Sequence, residues 1–143
     1  MSGIQYLRST DIGGVLKKKR RHYLVGDFSQ SFLIVDPSVE MGISAYDHYA
    51  CESPHYHTTT TTYEYILEGS TKYFDATNNV EHMFVKGDVV VIRPNTTYAQ
   101  KSLPETKIVF FKFPSGNDKI PVEIDASISE WFEDWENRIS SDL

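Results

Sequence analysis

Pro54-His55-Tyr56-His57-Thr58-Thr59-Thr60-Thr61-Thr62-Tyr63-Glu64-Tyr65-Ile66-Leu67-Glu68-Gly69 joins a histidine pair to the strongest strand-and-turn signal in the chain. His55 and His57 stand two apart, so on an extended segment both imidazoles leave the same face. The threonine run and Tyr63 to Leu67 supply β-branched and aromatic residues suited to a half-buried pleated surface. Glu68-Gly69-Ser70 closes the stretch as a turn. Two histidines aimed into one concave space are the ingredients of a metal site, an acid/base site or a polar ligand pocket.

The rest of the chain bounds these options. Its 143 residues, 40% hydrophobic and 24% charged, are expected to form a single globular domain over 1–143. A formal net charge of −6 speaks against nucleic acid as a partner, because phosphate neutralisation needs a basic surface. Cys51, the single cysteine, excludes an internal disulfide and suits a reducing compartment. The first residues lack the apolar core of a signal peptide, and no apolar stretch is long enough to span a bilayer. The expectation is a soluble cytoplasmic protein without a membrane partner.

Outward from the opening stretch, short apolar runs alternate with turn residues. Residues 1–16, broken by Gly13-Gly14, read as an arm or a short first strand. Lys17-Lys18-Lys19-Arg20-Arg21-His22 is the one basic cluster. It reads either as a solvated edge or as a place where Arg20, Arg21 or His22 meets an anionic ligand. Tyr23 to Val25, Ser31 to Val35 and Met41 to Tyr49 read as strands. His48 reads most simply as a surface or partly packed histidine. Thr71 to Phe74 pairs back across the Glu68-Gly69 turn as a hairpin. Glu81 to Val85 is a strand beside a polar loop, with His82 exposed and not a ligand. Val89 to Ile92, following the Lys86-Gly87-Asp88 turn, reads as a strand buried on both faces. Thr97 to Ser102 places Tyr98, Gln100 and Ser102 on one face, and Lys107 to Phe113 is the last strong strand. The tail turns helical, with Trp131, Trp135 and Ile139 on one face and Ser127 or Ser129 as the cap. That helix either packs on the sheet or supplies a contact for a homodimer, since Trp is favoured at interfaces. The composite is an all-β sandwich or barrel, with a core over about 22–115 and a helix over about 128–140.

Pro54-His55-Tyr56-His57 through Tyr65-Ile66-Leu67-Glu68-Gly69 resembles the first motif of the cupin superfamily, and Gly87-Asp88-Val89-Val90-Val91-Ile92-Arg93-Pro94-Asn95 resembles its second. The resemblance covers the central third of the chain. It implies a cupin-type double-stranded β-helix, a jelly-roll barrel, with a short C-terminal α-helix. In metal-binding cupins the first motif supplies two histidines and a glutamate, and the second a third histidine. Here His55 and His57 take the first two places, Thr62 takes the glutamate place, and Tyr98, or Ala99 on the longer spacing, takes that of the third histidine.

Three readings follow. In the first, Glu64, on the same face as Thr62, joins His55 and His57 around zinc, iron, nickel or manganese, with Tyr98 or water completing a weaker site. A neutral phenol at Tyr98 is a poor fourth ligand. In the second there is no metal, and the pair transfers protons on a sugar or sugar nucleotide. Here the resemblance is to cupin-fold ketoisomerases that use a His-x-His pair. His55 or His57 is then the base, Tyr98 or Glu64 its partner, and Arg93 the holder of a phosphate. In the third, Thr62, Tyr98, Gln100 and Ser102 line a hydroxyl-rich pocket that binds a small polar molecule without turning it over.

Overall fold

The alternation of apolar and polar residues becomes two facing sheets in a computed structural model that describes residues 3–16, 21–27 and 32–133. Eleven strands run in chain order: β1 (Arg21–Gly26), β2 (Ile34–Val35), β3 (Glu40–Ala45), β4 (Ala50–His57), β5 (Thr61–Glu68), β6 (Ser70–Asp75), β7 (Val80–Val85), β8 (Val89–Ile92), β9 (Tyr98–Ser102), β10 (Lys107–Phe113) and β11 (Lys119–Pro121). The six-stranded sheet has the order β2-β1-β3-β10-β5-β8 and the five-stranded sheet the order β11-β4-β9-β6-β7. Every pairing is antiparallel except that of β1 with β2. No helix among the described residues is long and apolar enough to cross a membrane.

One turn and one bulge shape the chain around the opening stretch, and the hairpin expected across Glu68-Gly69 does not form, since β5 and β6 lie in different sheets. Gly69 links β5 to β6 with φ +81°, and a Cβ there would lie 2.4 Å from Thr106 Oγ1. The same hydroxyl accepts from Ser70 N–H at 3.1 Å and donates to the Ser70 carbonyl at 3.0 Å, so glycine's open space is filled by the residue that pins the turn. In β4 the register against β9 passes from Glu52↔Gln100 to His55↔Tyr98, three residues opposite two. This bulge holds Pro54, which has no N–H to give to a ladder. Its consequence is a change of parity, so that Glu52 and His55, three apart, both face inward.

The interior divides into an apolar end and a polar middle. Tyr73, Val90, Ile92 and Tyr98 form an apolar cluster backed by Phe84. Towards the other edge Arg21 reaches in from β1 to meet Glu52, with Nη2 2.8 Å from Oε2, and Lys112 meets the buried Glu40 at 3.4 Å. Such pairs are the way a barrel can bury charge at all.

Several expectations need correction. Residues 9–16 form a helix, α1 (Ser9–Leu16), with Gly13 and Gly14 inside it. Its first turn is stabilised because Arg8 N–H donates to Asp11 at 2.9 Å. Val89 to Ile92 is not buried on both faces: β8 is an edge strand, with Val90 and Ile92 inward and Val89 and Val91 exposed. β11 lies beyond the expected 22–115 core. The C-terminal helix, α2, is described over 126–133. Its cap is Asp125 rather than Ser127 or Ser129, with Oδ1 accepting from Ile128 N–H at 3.0 Å. Trp135 and Ile139 lie outside the described residues, as do Lys17 to Arg20. Arg21 is turned inward on Glu52, and His48 and His82 are exposed.

Candidate active site

β4 carries His55 and His57 to one end of the barrel, and β11 brings the partner that orients the second of them. Lys119 is in register with His57, which sets Asp118 beside the imidazole, its Oδ1 accepting from Nδ1 at 2.8 Å. The other carboxylate oxygen accepts from the N–H groups of Thr59 and Thr60, each at 2.9 Å, and from the Thr59 hydroxyl at 3.1 Å. Against the cost of burial, these bonds hold the Asp118 carboxyl well below the usual range. An ionised Asp118 accepts only, so the His57 proton sits on Nδ1 and the lone pair on Nε2. That Nε2 is buried without a hydrogen-bond partner among the described residues.

His55 is oriented the same way by a different group. Its Nδ1 lies 2.9 Å from the Ser53 carbonyl, which can only accept, so its lone pair is also on Nε2. Glu52 Oε1 is 3.9 Å from that nitrogen, too far for a hydrogen bond. Burial lowers the His55 pKa to about 4, with Glu52 opposing. Burial likewise lowers that of His57 against the pull of Asp118. Both rings are therefore neutral near neutral pH. They stand edge to face with centroids 5.3 Å apart, and Tyr98 lies 4.6 Å from His55.

Across the interior the groups are shifted the other way. Glu64 projects inward from β5 and accepts from the Tyr73 hydroxyl, and burial raises its pKa. Burial also drives the phenols of Tyr73 and Tyr98 well above their ordinary value. Glu64 and Tyr98 share a cavity with Arg21, Glu52, Gln100 and Lys112. Its volume of ≈ 10 Å³ is about that of one water. A second, open groove of ≈ 420 Å³ lies along the seam between β7 and β8, walled by Tyr73, Phe84, Ile92 and Tyr98 with His82 and Arg93 among its lining residues. Tyr98 lines both spaces.

The structure thus brings together His55, His57 and Tyr98, and places Glu64 beside Tyr98 in the cavity. Thr62 is buried on the inward face of β5. Gln100 lines the cavity, but its Nε2 donates to Thr71 at 3.1 Å and to Ser102 at 3.3 Å, tying both Gln100 and Ser102 into a buried polar cluster. Arg93 is exposed and lies on the groove, not in the cavity. Asp118 and Glu52 went unread in the sequence. Asp118 stands 61 residues from its histidine, beyond the last strong strand that the sequence announces. Glu52 has the wrong parity unless the bulge is foreseen, and Pro54 within a strand was the available signal.

The donor set tests the metal reading. Two imidazoles with inward Nε2 atoms, each braced at Nδ1, have the orientation of metal ligands. A held divalent ion needs three or four protein ligands, and no group of three or more His, Cys, Asp or Glu able to hold one occurs among the described residues. Glu64 is engaged by Tyr73, and Glu52 by Arg21 and Lys119. The residues present do not fit a resident metal.

The sequence matches no protein-family model and no curated protein. Solved structures are similar in fold. KdgF from Halomonas sp. is 17% identical, with a TM-score of 0.54 over 68% of this chain and 80% of that one. A variant of Pac13 from Streptomyces, solved with uridine, is 18% identical, with a TM-score of 0.57 over 69% and 79%; Pac13 is described as a nucleoside dehydratase. A Klebsiella pneumoniae protein with a double-stranded β-helix domain is 15% identical, with a TM-score of 0.54 over 67% and 84%. Together with the sheet order and the two motifs, these likenesses establish that the chain folds as a cupin-type double-stranded β-helix.

Proposed function

We propose that this chain is a proton-transfer enzyme acting on a small hydroxylated metabolite of the sugar or nucleoside class, with His57 as the base. One observation carries the reading: the His57 Nε2 lone pair is buried and unpartnered among the described residues while Nδ1 is locked on Asp118. An unsatisfied buried acceptor costs about 1–3 kcal/mol, and such a cost is understandable where a substrate proton completes the bond. Histidines shifted down and a carboxyl shifted up within one barrel are the acid/base division expected of such a site. His57 takes a proton from a carbon next to a carbonyl, and the electron pair moves onto the carbonyl oxygen. Tyr98, which retains its phenolic proton, or Glu64 then supplies a proton. Delivered to the former carbonyl carbon, while the hydroxyl proton on the deprotonated carbon passes to the neighbouring oxygen, that proton completes an isomerisation; delivered to the β hydroxyl as the enolate re-forms the carbonyl and the carbon–oxygen bond breaks, it completes a dehydration.

The substrate class rests on the resemblance to sugar ketoisomerases and on the uridine found in Pac13. The groove beside Tyr98 is large enough for such a molecule, although His57 is not among its lining residues. A second reading, a binding module without turnover, is favoured by the contrast between a one-water cavity and the open groove. The two separate in deuterated water. A panel of uridine, keto-sugars and sugar nucleotides is incubated with the protein and followed by mass spectrometry. Deuterium entering a carbon position, lost in His57→Ala, supports the enzyme. A panel member that raises the melting temperature and is recovered without deuterium supports the binding module.

A further inference from the structure

We infer that the cavity lined by Glu64, Tyr98 and Gln100 holds one ordered water, and that this water joins Glu64 to Tyr98 as one proton-donating unit. Strand alternation points Ser44 of β3, Glu64 of β5, Tyr98 and Gln100 of β9 and Lys112 of β10 into the same space. Its ≈ 10 Å³ excludes any metabolite and is about what one water occupies. Arg21 and Lys112 stand around it with Glu52 and Glu64. Cations and carboxyls are matched there, which favours a neutral occupant over an ion.

Volume alone does not hold a water, since a small cavity with an apolar lining stays dry. This one presents unspent donors and acceptors. Tyr98 is 6% exposed, and no described residue hydrogen-bonds its hydroxyl. Gln100 spends its amide nitrogen on Thr71 and Ser102, which leaves its carbonyl oxygen to accept. Glu64 accepts from Tyr73 through Oε2 and keeps Oε1. Ser44 accepts from Arg21 Nε at 3.3 Å and keeps its own proton to give. Two donors and two acceptors are the complement of one water.

The Tyr98 ring also lies 4.6 Å from His55, so the bridge ends beside the histidine pair. In its consequence the inference rests on the proton-transfer reading and deepens it: Tyr98 delivers the proton and Glu64 restores it. As the phenol gives its proton to the substrate, the water passes one of its own to the phenolate and takes one from the Glu64 carboxyl, which is left as the carboxylate. Burial favours the protonated form of both groups beforehand. A bridging water is nearly as good a link as a direct hydrogen bond.

Two measurements on the full chain test the inference, and neither needs a substrate. Magnetic relaxation dispersion of the solvent counts the waters held for longer than the protein takes to tumble. Ser44→Val removes a hydroxyl and adds methyl groups to the cavity wall, and should lower the native count by one while far-UV circular dichroism and cooperative melting persist. Ser44→Thr, which adds one methyl group and keeps the hydroxyl, gives the same readout should Ser44→Val fail to fold. The second measurement follows, by NMR, the Tyr98 ring carbon that bears the hydroxyl. Glu64→Gln should shift that signal more in the native background than in Ser44→Val, because the water carries part of the change to the phenol. A count unchanged by filling the cavity overturns the water, and a shift of equal size in both backgrounds overturns the bridge. Deuterium incorporation that survives in His57→Ala would remove the base and leave both of these results standing, so the two readings fail separately.

Discussion

Asp118 grips His57 at Nδ1, 2.8 Å away, and is itself gripped by the backbone of Thr59 and Thr60. The arrangement fixes the tautomer as well as the ring. A carboxylate held by several donors does not take the proton it orients, so the imidazole presents a lone pair to the barrel.

Removing that orientation should cost rate more than affinity. Asp118→Asn offers an amide in place of a pure acceptor and permits the opposite tautomer. Steady-state kinetics on the substrate found by deuterium exchange should show kcat down by on the order of 10²–10⁴-fold with KM little changed. His57→Ala should abolish turnover with the fold intact. Normal turnover in either variant contradicts the assignment of the base.

The buried histidines make the fold acid-sensitive. Unfolded, His55 titrates near 6.5; folded, it resists protonation until about 4. Between those values the unfolded chain binds the proton and the folded chain does not, so stability falls as pH falls. Glu40 and Glu64, both shifted up by burial, act in the opposite sense. The contribution of His55 is therefore read as a difference. Urea unfolding of the native chain against His55→Asn should show the native chain losing up to about 3 kcal/mol relative to the variant between pH 6.5 and 4. Parallel curves would show that His55 is not held neutral.

Glu52 neutralises Arg21 inside the barrel, with side-chain exposures of 17% and 27%. Glu52→Ala strands the guanidinium and should destabilise the chain by about 2–3 kcal/mol in urea, towards the lower end for buried pairs. Replacing both partners, Arg21→Met with Glu52→Leu, should recover part of the loss. An unchanged urea midpoint in Glu52→Ala would show that the pair is not coupled.

The donor set makes a prediction about metal. Protein purified without a histidine tag and dialysed against zinc, iron, nickel or manganese should hold well under one ion per chain by elemental analysis. One firmly bound ion per chain, lost in His55→Ala, would contradict the two-imidazole assessment.

What could be read from the sequence follows from the range of the forces involved. Local alternation and turn residues announced most of the strands, and the two motifs announced the barrel, because both are written in neighbouring residues. The helix over residues 9–16 was hidden because Gly13-Gly14 reads as a break. A continuous apolar run such as Val89 to Ile92 does not reveal that its strand lies at a sheet edge with one face exposed. His55 and His57 were legible from their spacing. Asp118 was not, since only the pairing of β11 with β4 brings it there. Glu52 was concealed by a single bulge that reverses the parity of the strand.

The most direct test of the account is the protonation of the His57 ring, read by heteronuclear NMR of its nitrogens near neutral pH. The account predicts a proton on Nδ1 and a bare Nε2, with that preference lost in Asp118→Asn. A proton on Nε2 in the native chain, whether as the other tautomer or as an imidazolium, would contradict it.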